Sequence, residues 1–198
     1  MEKSVVIFFK GDFNQSVAGV AVRYLAIANE LAEKGWDVSI VGRKVPNRSS
    51  GVKYIKASNT AAVVKSFFKN SCVILHGGGP FVLLLAALMS MWGKRVLLDS
   101  FAPHWIELAN SPGRGFKKRV KVAFNLSRLV WAAYFFDSIS VGTNRQKDLV
   151  RGIVAPFMGV RAMSRIKVVT GGCDIPRVLD GGPCDSQSAK AVGLKYKQ

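Results

Sequence analysis

The chain of 198 residues is poor in the residue types on which most catalytic chemistry is built. It has two histidines, three cysteines and 12 acidic residues against 29 Lys and Arg. Cys72, Cys173 and Cys184 are odd in number and form no CxxC pair, so neither a disulfide framework nor a thiolate metal site is expected. His76 and His104 have no Cys or carboxylate at metal-ligand spacing. There is no GxGxxG after the first strand and no GxxxxGK[ST], which removes the main signals for dinucleotide and P-loop sites. There is also no GxSxG. His76-Gly77-Gly78-Gly79 reads like the oxyanion-hole phrase of esterases, but Ser138-Ile139-Ser140-Val141-Gly142 lacks the first glycine and sits in a strand, so a hydrolase is not expected.

Acidic residues are missing in blocks. None lies between Asp37 and Asp99, where Arg43, Lys44, Arg48, Lys53, Lys56, Lys65, Lys69, Lys94 and Arg95 occur. Arg114, Lys117, Lys118, Arg119, Lys121 and Arg128 form a second acid-free block. The net charge of +17 points to an anionic partner, which composition alone leaves open among nucleic acid, acidic lipid and phosphorylated substrates. No Lys, Arg, Asp or Glu occurs from Ser71 to Gly93, a length that could span a bilayer. His76, three consecutive glycines and Pro80 divide that run into a strand-sized and a helix-sized piece, so two buried α/β elements are expected there. The opening MEKSVVIFFKGD is too soon interrupted by charge to read as a secretory signal.

What is present is a rhythm of short apolar runs and helical segments. Strands are expected at Ser4–Phe9, Val38–Val41, Val52–Ile55, Cys72–Leu75, Arg95–Leu98, Ser138–Val141 and Arg165–Val169. Helices are expected at Gly19–Lys34, Thr60–Phe68, Phe81–Trp92 (buried), Phe116–Phe136 and Arg145–Val150, with Gly35 ending the first. This alternation predicts an α/β fold, a doubly wound and mainly parallel Rossmann-like sheet with helices on both faces. Residues 1–170 would be that domain and 171–198 a linker or poorly ordered tail. Ligands of such sheets bind at the carboxyl ends of the strands.

Asp99 and His104 fall at a strand end and in the loop after it, where a carboxylate near an imidazole could orient a hydroxyl or act as a base; they are the catalytic candidates. Lys117, Lys121, Asn125 and Arg128 form a polar stripe on the helix from Phe116, beside Phe116, Val120, Phe124 and Trp131. With Lys118, the basic members of that stripe suit an anionic membrane surface.

The order of the pieces resembles the N-terminal domain of GT-B glycosyltransferases, particularly the family 4 group. The matching phrases are Ala18-Gly19, then Leu31-Ala32-Glu33-Lys34-Gly35-Trp36-Asp37-Val38, Val73-Ile74-Leu75-His76-Gly77 and Phe136-Asp137-Ser138-Ile139-Ser140-Val141. Arg165-Ile166-Lys167-Val168-Val169 running into Gly171-Gly172-Cys173-Asp174 completes the set. Ala18 replaces the first of two family glycines, and Trp36 stands where His is common. The resemblance covers about residues 4–175. It implies that Gly19 lies near the donor phosphate and that His76, Gly77, Gly78, Asn144 and Arg145 bind the acceptor, beside Asp99 and His104. It also implies a nucleotide-sugar co-substrate with no tightly bound cofactor, and a lipid-linked or saccharide acceptor. The expected location is cytoplasmic, peripheral to the inner face of the membrane. Members hold the nucleotide in a second Rossmann domain, absent from this sequence, so the resemblance implies either a separate donor-binding subunit or a fragment of a longer transferase, with little or no transfer activity in the isolated half. The alternative is a non-catalytic basic module binding nucleic acid or another anionic partner, for which no motif speaks beyond charge.

Overall fold

A computed structural model describes residues 3–9, 11, 13, 19–44, 51–100 and 115–169. His104 and the segment 171–198, with its GGCD phrase, lie outside the described residues. The elements in chain order are β1 (Ser4–Phe9), α1 (Gly19–Glu33), β2 (Asp37–Gly42), β3 (Lys53–Lys56), α2 (Thr60–Lys69), β4 (Cys72–His76), α3 (Pro80–Met91), β5 (Arg95–Asp99), α4 (Phe116–Phe135), β6 (Ser138–Val141), α5 (Asn144–Met158) and β7 (Ile166–Val168). A 3-10 segment, Val160–Arg165, leads into β7.

The seven strands form one sheet in the order β3-β2-β1-β4-β5-β6-β7, and every pairing is parallel. The fold is therefore a Rossmann-like doubly wound α/β domain, as the alternation predicts. β1 is apolar at five of its six positions because both its faces are covered: all six residues are buried. Val5, Ile7 and Phe9 pack with Val38 and Ile40 under Ala21, Tyr24 and Ala28 of α1. Val6 and Phe8 face the opposite way, into a larger core with Val73, Leu75, Val96, Leu98, Ile139 and Val141, covered by α2, α3, α4 and α5. One described helix thus covers one face and four the other. The change of direction falls between β1 and β4, where adjacent strands send their connections to opposite sides, the position at whose carboxyl edge doubly wound sheets bind ligands.

Local sequence fixes the element ends. Gly35 takes φ +79°, and the N–H groups of Gly35 and Trp36 reach back to Ala32 and Leu31, which closes α1 in a Schellman turn. Asn59 caps α2 by accepting from the Ala62 N–H at 3.0 Å. Thr143 caps α5 by accepting from the Gln146 N–H at 3.2 Å, while the Gln146 side chain accepts from the Gly142 N–H at 2.8 Å.

Two expectations change. Helix α5 runs to Met158 and does not stop at Val150: Gly152 and Pro156 look like breakers, but Val150 and Val154 bury one face and Pro156 falls in the last turn, where it forfeits a single backbone bond. Helix α3 is not buried all round. Val82, Leu83, Leu85, Ala86, Ala87 and Met89 enter the core, whereas Phe81, Leu84, Leu88, Met91 and Trp92 face outward, Met91 being 69% and Trp92 61% exposed. No helix among the described residues is long and apolar enough to cross a membrane.

Helix α4 is longer than the sheet it covers. Its 20 residues extend about 30 Å, against about 17 Å for a five-residue strand. Only Leu129, Ala132 and Ala133 in its second half are buried, and the first turns leave Phe116 80% exposed.

Candidate functional site

The sheet register brings the strand-end side chains together. Phe9 of β1 lies beside His76 of β4, and Asp99 of β5 beside Ser140 of β6, all on the α1 face of the carboxyl edge. Tyr24 and Arg23 descend onto this row from the second turn of α1. Asp99, only 3% exposed, accepts hydrogen bonds from the Tyr24 hydroxyl at 2.5 Å (Oδ2) and from the Ser140 hydroxyl at 2.6 Å (Oδ1). The Arg23 Nε lies 3.5 Å from Oδ2. A buried carboxylate needs such partners, and here they join α1, β5 and β6. Burial, then the adjacent Asp99 charge, pushes the Tyr24 phenol far above its ordinary range, so Tyr24 stays a donor at any working pH.

His76 is held by a different part of the same residue. Its Nδ1 lies 3.2 Å from the backbone oxygen of Asp99. A carbonyl can only accept, so Nδ1 carries the proton in that bond and Nε2 keeps its lone pair. The ring also packs on Phe9 and Tyr24, with centroids 5.5 and 5.4 Å away. Desolvation lowers its pKa below the ordinary imidazole range; the Asp99 charge and bond oppose this, and Arg128 and Arg23 add to it. His76 is thus a neutral imidazole of fixed tautomer with an acceptor nitrogen.

The turn after His76 has to be glycine. Gly77 has φ +87° and Gly78 φ +127°, regions that L side chains rarely enter, and a Cβ on Gly78 would meet Val82 at 3.0 Å. At Gly77 the backbone runs against a guanidinium, since a Cβ there would lie 3.9 Å from Arg128 Nη1. Arg128 departs from the exposed stripe in which its spacing places it: burial lowers its pKa, and its Nε is buried with no hydrogen-bond partner. Its Nη1 approaches Asn125 Oδ1 at 3.4 Å.

The other sequence candidates lie around this centre. Gly19 opens α1 and is exposed, with nothing near the place a Cβ would occupy. Asn144 and Arg145 form the exposed first turn of α5, at the carboxyl end of β6. Lys117 and Lys121 are exposed and Lys118 half-buried on the projecting turns of α4. Among the described residues, no group of three or more His, Cys, Asp or Glu side chains is placed to hold a metal ion. Tyr24, Arg23 and Ser140 are absent from the sequence-based site; the one signal for Tyr24 is that a tyrosine on the buried face of a helix needs a partner for its hydroxyl.

The arrangement can accept a proton from a ligand hydroxyl at His76 Nε2 and hold an anion at Arg128, at the place where doubly wound sheets bind ligands. Compared with known proteins, the chain matches no family model and no curated sequence.

Proposed function

We propose that this domain is the acceptor-side component of a sugar transferase, which takes the acceptor hydroxyl at His76 and receives the sugar from a nucleotide-sugar donor held by a further domain. The observation that carries the reading is the fixed neutral imidazole of His76 at the switch point of the sheet. Glycosyl transfer needs the acceptor hydroxyl oriented and its proton accepted, and an imidazole with Nδ1 on a carbonyl and Nε2 free does both. Asp99 is a positioning residue in this scheme, because both its carboxylate oxygens are already engaged. The described residues form one sheet, so donor binding calls for a second unit, in the same chain or another.

The test is purification at high salt from the native organism, followed by assay of what stays bound with nucleotide sugars. Sugar turnover that needs this chain and falls at least ~100-fold in a His76→Gln replacement supports the reading. Turnover indifferent to His76, or none from any recovered mixture, removes it.

A lipid-linked acceptor is favoured by the outer surface. Phe81, Leu84, Leu88, Met91 and Trp92 make an uncharged apolar stripe on α3, extended by Phe68 of α2, whose ring lies 5.2 Å from that of Trp92. The exposed Lys65 of α2 flanks it on one side, and α4, with Lys117 and Lys121 exposed on its first turns, packs against α3 on the other. An apolar stripe between cationic flanks suits a bilayer surface with anionic headgroups, whereas a net charge of +17 opposes self-association through this face. The double replacement Leu84→Glu and Met91→Glu touches only exposed positions, so folding is retained. It lowers partitioning onto vesicles of about one-third phosphatidylserine by roughly tenfold or more in a sedimentation assay. Undiminished partitioning would dissociate the α3 face from lipid.

A further inference from the structure

Among the described residues, Arg128 is a cation without a counter-charge. No described carboxylate pairs with it: Asp99 is taken by Tyr24, Ser140 and Arg23, Asp37 by Lys53 and Lys69, Asp148 by Arg151 and Glu30 by Lys34, while Glu33 ends α1 at the opposite edge of the sheet. Asp137 accepts from the Val96 N–H. The one hydrogen bond of Arg128 is the long contact to Asn125, whose own amide N–H is committed to the Lys121 carbonyl at 2.8 Å. The Nε atoms of Arg23 and Arg151 are also buried without a hydrogen bond, but those guanidiniums face Asp99 and Asp148. Arg128, part-buried, has no such carboxylate, and a ligand that supplies the missing charge offsets the cost of its desolvation.

The surroundings indicate which charge. Arg128 lies at the carboxyl edge of β4, against a backbone stretch where two glycines in succession keep side chains out. His76, at the foot of that turn, is neutral, so it does not compete for an anion. A planar fork of N–H donors matches two oxygens of a phosphate, and bare backbone lets the group approach closely.

We propose that Arg128 and the Gly77–Gly78 turn form a subsite for a phosphate or diphosphate group. The subsite rests on the transferase reading only for the source of that group, a nucleoside diphosphate or a lipid-linked diphosphate; anion binding is read without turnover. The role differs from the one periodicity gives Arg128, since the residue faces a bound ligand and not a membrane.

The experiment is thermal unfolding and calorimetry of the full chain with inorganic pyrophosphate, against sodium sulfate at equal ionic strength. Pyrophosphate at about 100 times its Kd raises the midpoint by roughly 5–10 °C, and sulfate does so far less. Arg128→Met abolishes the rise while leaving the ligand-free midpoint equal or higher, because it removes an unpaired, part-buried charge. Arg128→Lys folds with the charge but without the fork and binds about tenfold more weakly. Lys117→Gln with Lys121→Gln leaves the response intact. Uridine diphosphate and farnesyl diphosphate are then compared, and the one whose affinity depends more on Arg128 identifies the source. The proposal is overturned if the wild-type protein does not respond to pyrophosphate, or if Arg128→Met binds it equally well. A ligand-free midpoint several degrees lower in Arg128→Met also overturns it, since Arg128 is then paired within the protein.

Discussion

Asp99→Asn lowers the stability of the domain by about 3 kcal/mol, the magnitude expected when one partner is removed from a buried charged network. For a domain of this size that moves the unfolding midpoint down by roughly 6–12 °C. The replacement amide has the same shape as the carboxylate but one acceptor oxygen in place of two. Tyr24 and Ser140 both donate to the carboxylate from buried positions, so one hydroxyl then faces an amide nitrogen that can only donate. Arg23, whose side chain is 12% exposed, loses its ion pair with Asp99. Tyr24→Phe is the milder comparison, because it removes one donor and leaves the carboxylate with Ser140 and Arg23. Its expected cost is about 1–2 kcal/mol. Thermal unfolding of the two variants at pH 7 checks the order. If the Asp99→Asn midpoint is within about 1 °C of the wild-type value, the network does not join α1 to β5 and β6 as described.

The same network explains why the fold is easier to read from the sequence than the site. Ser4–Phe9, Cys72–Leu75 and Ser138–Val141 are short apolar runs because their strands are covered on both faces, and that constraint is written locally. Gly35 marks a helix end because its φ is positive, which is also local. Asp99 and Tyr24 are 75 residues apart, and what unites them is the reversal of strand order between β1 and β4. No spacing within either segment encodes that. Sequence places Asp99 at a strand end correctly, but does not show that both its oxygens are occupied.

Helical periodicity misleads in two instructive places. In α4, Lys117, Lys121, Asn125 and Arg128 do share a face, yet that face changes surroundings along the axis. The helix outruns the sheet, so Lys117 and Lys121 lie in solvent while Arg128, about 16 Å further along than Lys117, meets the Gly77 turn. In α3 the error has the opposite sense. A helix with no charge reads as buried, but composition does not say which neighbours exist to bury it, and its outer stripe has none among the described elements.

The neutral state of His76 makes a prediction about pH with a definite sign. An unfolded histidine titrates near pH ~6.5, and burial lowers the folded value. Below about pH 6.5 the unfolded chain therefore binds a proton that the folded chain refuses. The contribution of His76 to stability is complete above about pH 6.5 and is lost as the pH falls through the folded value. The midpoint of the wild-type protein should accordingly fall more steeply between about pH 7 and pH 5 than that of His76→Gln. Glutamine can keep a donor on the Asp99 carbonyl but does not titrate. Thermal unfolding across this range tests the state of the imidazole without any substrate. In the transferase reading the same group sets the acid limb of the rate. Protonation of Nε2 removes the acceptor for the substrate proton, so kcat/KM declines about tenfold per pH unit below the folded value. His76→Gln loses roughly 100- to 10,000-fold at neutral pH and the acid limb with it. A flat stability difference between the two proteins would mean that His76 titrates as it does in solvent. A rate lost with its acid limb retained would place the proton acceptor on another residue. The two measurements thus separate a histidine that only packs on Phe9 and Tyr24 from one whose free nitrogen does chemistry.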